Sequence, residues 1–378
     1  MHPPARRLRP AMSNGKTLPQ GIITNILSRL PVKSLFQFKC VSPLWKSLIS
    51  NPRFVKTHLD RTKTTNYPEH KIVTISHCGN LNLLEYKEEV PTSTKLEFPT
   101  MELHENEKWV RVLSSCDGLL LASRSDKSMF LLNPSTRECK KLPICPFVRI
   151  LPISQNPIPI TANPCGVGYD SSSDDYKVLL LSYCRSDNSV TSHINVYSLK
   201  TNAWKRIQDS QYRFSGQNKH LLSGYPKGNS GGVFLNGCIH FLWNRTSDIT
   251  SIIGFNLSGE IVWEWTLSSW FRVCERLAVL GGSLCLLDLP GGELWMMKEY
   301  GDSESWTKVT LWSTQNVVCM LAEDEFLLFE KYVDKQLVVY NPRKFRQRVI
   351  CGTLTPFKHW ASYVESLVSP FHVGEIRR

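Results

Sequence analysis

Gly228-Asn229-Ser230-Gly231-Gly232 fits the G-x-S-x-G pattern that, on a sharp strand-to-helix turn, presents a serine nucleophile for hydrolysis. Here a polar stretch precedes the motif and a strand-like run, Val233-Phe234-Leu235, follows it, so the segment reads as a turn. Asp170, Asp174 and Asp175 border a serine-rich stretch that suggests a metal loop, but the ligand count and glycine placement of a calcium-binding loop are missing. A solvated turn is expected. His240 stands between Ile239 and Phe241 and reads as a histidine satisfied inside a strand, not as a general base. Twelve cysteines are scattered without a C-x-x-C pair, and zinc-ligand spacings, phosphate-cradling loops and dinucleotide fingerprints are all absent. These motifs thus offer no nucleophile and base pair, no metal site and no cofactor cradle.

The elements that would carry a site divide unevenly. At roughly 150 residues per domain, 378 residues give two or three domains, or one small module joined to a large one. Hydrophobic residues at 42% suffice for a packed core. The net charge of +12 raises the question of an anionic partner, but it is concentrated: residues 1–60 carry +9 of it, their first acid being Asp60. Residues 1–15, rich in Arg and Pro and without the apolar stretch of a secretory signal, are expected to form a disordered basic leader. The longest apolar runs hold about six residues, far below the roughly 18 to 20 that cross a bilayer, so no membrane partner is expected. Most cysteines lie inside apolar runs such as Leu284-Cys285-Leu286. They read as buried, reduced thiols of a cytoplasmic or nuclear protein, with the sequons at Asn244 and Asn256 present by chance.

Residues 16–60 carry a helical pattern. Ile22, Ile23, Ile26, Leu27 and Leu30 form a stripe at helical spacing, which Pro19 can open and Pro31 stops. Leu35, Phe38 and Val41 mark a second short helix, Leu44, Trp45, Leu48 and Ile49 a third, and Asn51-Pro52 begins a last turn with Phe54, Val55 and Leu59. Leu27, Leu35, Phe38, Val41 and Trp45 are expected in the core. So small a module buries little surface and gains stability from a partner.

From residue 68 to 370 the period changes to short β-branched and aromatic runs between Gly, Asn, Asp and Pro turns. One plan recurs: a strand, a tight turn, a second strand, a third ending in an Asn- or Asp-type turn, and an outer strand often marked by Trp. Unit starts lie roughly 40 to 60 residues apart, as in four-stranded propeller blades. Residues 70–98 read as a degenerate first unit, to which residues 360–369 could return and close the ring, removing exposed sheet edges. About six units are expected, with a two-sheet sandwich as the structural alternative.

Several of these segments carry a resemblance. Leu18-Pro19, the run from Ile26-Leu27-Ser28-Arg29-Leu30-Pro31 through Val32-Lys33-Ser34-Leu35, Cys40-Val41-Ser42, and Trp45-Lys46-Ser47-Leu48-Ile49 resemble the F-box of plant proteins, the adaptor-binding module of SCF ubiquitin ligases. Gln20-Gly21, in place of the family's common acidic pair, and Pro43 depart from it. Cys116-Asp117-Gly118-Leu119, Gly166-Val167-Gly168-Tyr169-Asp170, Val233-Phe234-Leu235-Asn236-Gly237 and Tyr363-Val364-Glu365-Ser366-Leu367 look like the kelch-related F-box-associated domain. The resemblance implies a small all-α F-box module followed by a large all-β, propeller-like, kelch-type domain. It also implies that Leu18, Pro19, Ile22, Ile23, Ile26, Leu30, Pro31 and Val32 form an exposed face docking on a Skp-family adaptor and, through it, a cullin scaffold. The β-domain would hold a protein target, of unknown identity, for ubiquitination, with no cofactor. Residues 143–164 and 208–231 are candidate recognition loops. Because Skp-family adaptors are acidic as a family, they also offer a partner for the N-terminal charge. The alternative is a nucleic-acid-binding protein acting through its basic N-terminus on a propeller scaffold, but Phe36, Phe38, Trp45 and Phe54 fall where packing needs them rather than where bases could stack.

Overall fold

The computed structural model describes residues 18–64, 70–86, 92–98, 108–125, 128–147, 164–186, 189–207, 231–244, 250–267, 276–288, 292–311, 316–330, 336–351, 354 and 356–371. The chain divides into two compact units, Met1–Arg61 and Thr62–Arg378.

In the first unit, α1 (Gln20–Leu27) follows Pro19 and ends earlier than the apolar stripe suggests. Ser28 and Leu30 continue in turns, with Leu30 N donating to Leu27 O at 3.0 Å, because a residue before proline disfavours helical backbone. α2 (Val32–Lys39) begins after Pro31. α3 (Pro43–Ile49) is capped by Ser42, whose hydroxyl accepts from Trp45 N at 3.2 Å. Pro43 thus occupies the first helical position, where its missing N–H costs nothing. α4 (Pro52–Lys63) is a full 12-residue helix rather than a last turn. Leu27, Val32, Leu35, Ile49, Phe54 and Leu59 form the buried centre. The carbonyl of Leu30 meets His58 Nε2 at 3.0 Å, and Arg61 donates to Asn25 O at 3.0 Å, tying the last helix to the first.

The second unit contains six four-stranded antiparallel sheets. The first holds β1 (His70–Ser76), β2 (Leu81–Glu85) and β3 (Thr92–Lys95). The second holds β4 (Trp109–Cys116), β5 (Leu119–Arg124), β6 (Met129–Asn133) and β7 (Glu138–Lys141). In the third are β8 (Cys165–Asp170), β9 (Asp175–Ser186), β10 (Ser189–Ser198) and β11 (Ala203–Ile207). The fourth comprises β12 (Val233–Leu235), β13 (Cys238–Asn244), β14 (Thr250–Asn256) and β15 (Ile261–Thr266). The fifth is β16 (Arg276–Leu280), β17 (Ser283–Asp288), β18 (Glu293–Met297) and β19 (Trp306–Thr310), and the sixth β20 (Asn316–Ala322), β21 (Glu325–Glu330), β22 (Gln336–Asn341) and β23 (Arg346–Cys351). β24 (Phe357–Val364) then returns to the first sheet, pairing with β1 in the register Val73↔Ala361. The ring closes as the self-similarity predicts: this is a six-bladed propeller.

Middle strands read as continuous apolar runs because both of their faces are buried. In β21, Phe326 and Leu328 pack toward the fifth sheet while Leu327 and Phe329 pack toward the first. In β5, Leu120 joins the cluster shared with the first sheet and Leu121 that shared with the third. Six such clusters, one between each neighbouring pair of sheets, constitute the core. Each fully buried leucine contributes roughly 1.5–3 kcal/mol of transfer free energy.

The same strand order creates two different faces. A parallel bridge between Cys165 and Gly231 shows that inner strands of neighbouring sheets run the same way. Turns from first to second and from third to fourth strands therefore share one face, and most of those described are tight. All eight non-glycine residues with left-handed backbone among the described residues lie there: Asp117, Arg137, Asp174, Asn202, Asn236, Glu260, Asp324 and Phe345. Connections between sheets begin and end on the opposite face.

Candidate functional site

Two regions could bind partners: the surface of the helical unit and the ends of the propeller channel. Leu18 (58% exposed), Ile22 (48%) and Ile26 (51%) present apolar side chains to solvent, and Pro19 and Pro31 are exposed beside them. Ile23 and Leu30 are half-buried. Val32 corrects the expectation of an exposed face: at 2% exposure it belongs to the core, because it lies three residues before Leu35 on the same side of α2. Val41 corrects the opposite expectation. It is 64% exposed because α2 has ended at Lys39, so spacing three no longer points inward. Leu44, at 60%, joins it. Phe38 and Trp45 are half-buried and meet edge to face at 5.3 Å.

The residues that suggested chemistry have structural roles. His240 is fully buried in β13, with Nδ1 3.2 Å from Val233 O and Nε2 2.9 Å from Tyr300 Oη. Burial lowers its pKa to about 4, so it is neutral near pH 7. The stretch from Asp170 to Asp175 has an exposed middle, but Asp170 and Asp175 themselves are buried. The Asp170 carboxylate accepts from Lys177 Nζ (2.7 Å), Ser172 Oγ (2.7 Å), Ser173 Oγ (2.6 Å) and Ser258 Oγ (2.8 Å). Burial works against its ionisation, yet these donors hold its pKa well below the usual carboxylate range. The bonds join the third sheet to the fourth. Among the described residues no group of His, Cys, Asp and Glu is arranged to hold a metal. Seven of the described cysteines are buried, and burial pushes Cys139, Cys165, Cys285 and Cys319 up to about 12, the behaviour of inert packing thiols.

Of the G-x-S-x-G segment, residues 228–230 lie outside the described residues. Gly231 and Gly232 lead directly into β12, a strand where a nucleophile elbow requires a helix. A side chain at Gly231 would come within 1.4 Å of Leu113 O, so only glycine permits the inner strands to approach there. Residues 148–163 and 208–230, which make up most of the two candidate recognition loops, lie outside the described residues. So does the basic leader, residues 1–15.

Tightly turned and open ends of the propeller differ in charge. Where inner strands reach the tight-turn face stand Asp117, Asp170, Asp324 and Glu365; where they start, on the opposite face, stand Arg111, Arg276, Lys358 and His359. Sequence reasoning missed this polarity. Its signal, a charge at the same place in several inner strands, becomes readable only once blade register is known.

Short helices bearing exposed apolar side chains are thus joined to a six-bladed propeller. The F-box domain model matches residues 17–57 and the F-box associated beta propeller domain model residues 69–369. Among curated relatives, F-box protein CPR1 of Arabidopsis thaliana is 30% identical over 354 residues, covering 87% of this chain and 81% of that protein. F-box/kelch-repeat protein At3g23880 of the same plant is 27% identical over 392 residues, covering 95% and 97%. The chain therefore belongs to the F-box proteins that carry an F-box-associated β-propeller domain.

Proposed function

We propose that this protein is the substrate-recognition subunit of an SCF-type ubiquitin ligase, a non-catalytic receptor whose helical unit binds a Skp-family adaptor and whose propeller binds the protein to be ubiquitinated. The observation that carries the reading is the group of apolar side chains exposed on the helical unit, Leu18, Ile22, Ile26, Val41 and Leu44. A module this small gains by covering such residues with a partner. The receptor would act by proximity, raising the local concentration of a target lysine near a charged conjugating enzyme.

Co-purification with a Skp-family adaptor tests the proposal. Wild type is expected to capture adaptor. Ile26→Asp and Val41→Asp, which place charge on exposed apolar positions, are expected to reduce capture at least tenfold while the propeller stays folded. A well-folded wild-type chain that captures none of the adaptors offered would sink the reading.

A further inference from the structure

Arg276 opens β16, yet its guanidinium carbon lies 4.3 Å from the ring centroid of Trp360 in β24. These strands belong to the fifth and first sheets, with the sixth between them, so the arginine side chain crosses the start of the central channel. Trp360 is itself braced by Phe329, at 5.2 Å between ring centroids. Arg111, from the second sheet, acts electrostatically on His359 together with Arg276 and Lys358, and also on Cys165 in the third sheet. Cations from three sheets thus converge on one end of the channel.

Arg276 differs from the paired charges elsewhere in the propeller. Asp170 is held by Lys177 at 2.7 Å, and Asp324 by Arg343 at 3.0 Å. Among the described residues Arg276 meets no carboxylate and makes no hydrogen bond; its one partner is the face of Trp360. Arg276 is half-buried, and burial depresses its pKa to about 10. A partly buried guanidinium with no carboxylate among the described residues is costly to hold, and its planar fork matches an oxyanion bidentately.

We propose that the end of the channel opposite the tight turns is an anion-receiving site, in which Arg276 laid on Trp360, together with Arg111, takes a carboxylate or phosphate carried by a peptide segment of the target. This deepens the receptor reading and rests on it. It assigns the target an acidic or phosphorylated side chain as its anchor.

The test uses the full chain without adaptor, at constant ionic strength. Ac-Gly-Gly-phosphoSer-Gly-Gly-NH2, its Glu and Ser counterparts and inorganic phosphate are titrated by calorimetry and by the shift in thermal midpoint. Saturable binding of the phosphoserine or Glu peptide, absent for the Ser peptide, is expected. Arg276→Gln and Arg111→Gln should each weaken it at least tenfold. Arg348→Gln, on the exposed outer strand β23, should leave it unchanged. Should Arg276→Gln fold poorly, Arg276→Lys and Trp360→Phe provide the same test with milder changes, each expected to weaken binding. Equal binding by wild type, Arg276→Gln and Arg348→Gln overturns the proposal, as does the absence of saturable binding to either anionic peptide. Binding of inorganic phosphate alone overturns the assignment to a peptide. Adaptor capture on the same preparations separates the two readings: anion binding retained without capture sinks the receptor and leaves the site standing.

Discussion

The two faces of the propeller are built from the same six inner strands, yet among the described residues one end pairs its charges within the fold and the other holds a cation without a carboxylate. At the tight-turn end, Asp170 collects four side-chain donors and the Ser172 N–H, and Asp117 accepts from Tyr176 Oη at 3.0 Å. There too, buried Asn133 donates to the carbonyls of Ser366 (3.1 Å) and Val368 (2.7 Å) and accepts from Ser135 N (2.8 Å), latching the returning C-terminal segment. At the other end Arg276 has an aromatic ring and no carboxylate among the described residues. The difference teaches which end holds the ring together and which is free to bind. Polar groups that serve stability are satisfied within the fold, whereas one that awaits a ligand shows as an unpaired charge.

If that division is right, the largest loss of stability belongs to the tight-turn end. Asp170→Asn leaves the half-buried Lys177 beside a neutral amide and should cost about 3 kcal/mol near pH 7, measured by urea unfolding. Asp170 has a depressed folded-state pKa, so its contribution is present above the unfolded value of about 3.9 and is lost as pH falls below it. The gap between wild type and variant should therefore narrow from pH 5 to pH 2. A gap that stays constant would place the effect in packing rather than charge. Asn133→Ala should cost about 2 kcal/mol, because it strands two buried carbonyls of the latch.

Arg276→Met is the opposite kind of change. It removes a charge that has no carboxylate among the described residues, so stability near neutral pH should stay level or rise by up to about 1 kcal/mol, even as anion binding disappears. A loss as large as that of Asp170→Asn would show that Arg276 belongs to the structural set and would erase the contrast between the ends.

Sequence alone carried the architecture further than the surfaces. Blade count and ring closure were legible because each blade repeats one plan, although the closing strand lies at Phe357–Val364 rather than at residues 360–369. His240 was legible as a core residue from its apolar neighbours. Val32 was misplaced because the resemblance assigns it to the docking face, while it lies one turn before Leu35 on the buried side of α2. Val41 was misplaced because spacing within a run does not say where the helix stops, and the end of α2 at Lys39 leaves it facing water. Arg111, Arg276 and Trp360 were invisible as a group, since they lie far apart in the chain and meet only through a closed ring.

The smallest expected effect is also the most local. His359 is held at about 3, first by burial and then by the positive charges of Arg111, Arg276 and Lys358, whereas His240 reaches about 4 by burial without a charged neighbour among its causes. Both are buried neutral, so each lowers stability as pH falls from about 6.5, where the unfolded imidazole begins to bind a proton, toward its folded value. They should answer differently to Arg276→Gln. Removing one cation relieves repulsion on the protonated His359, whose pKa should rise by roughly half a unit, while that of His240 stays fixed. Imidazole chemical shifts followed by NMR from pH 7 downward, to the onset of acid unfolding, read both histidines in one sample. A shift confined to His359 would show that Arg276 acts on the open end of the channel as an unscreened charge. Equal shifts at both histidines would instead report a general loosening of the fold, and the two faces would no longer differ in the way their charges are held.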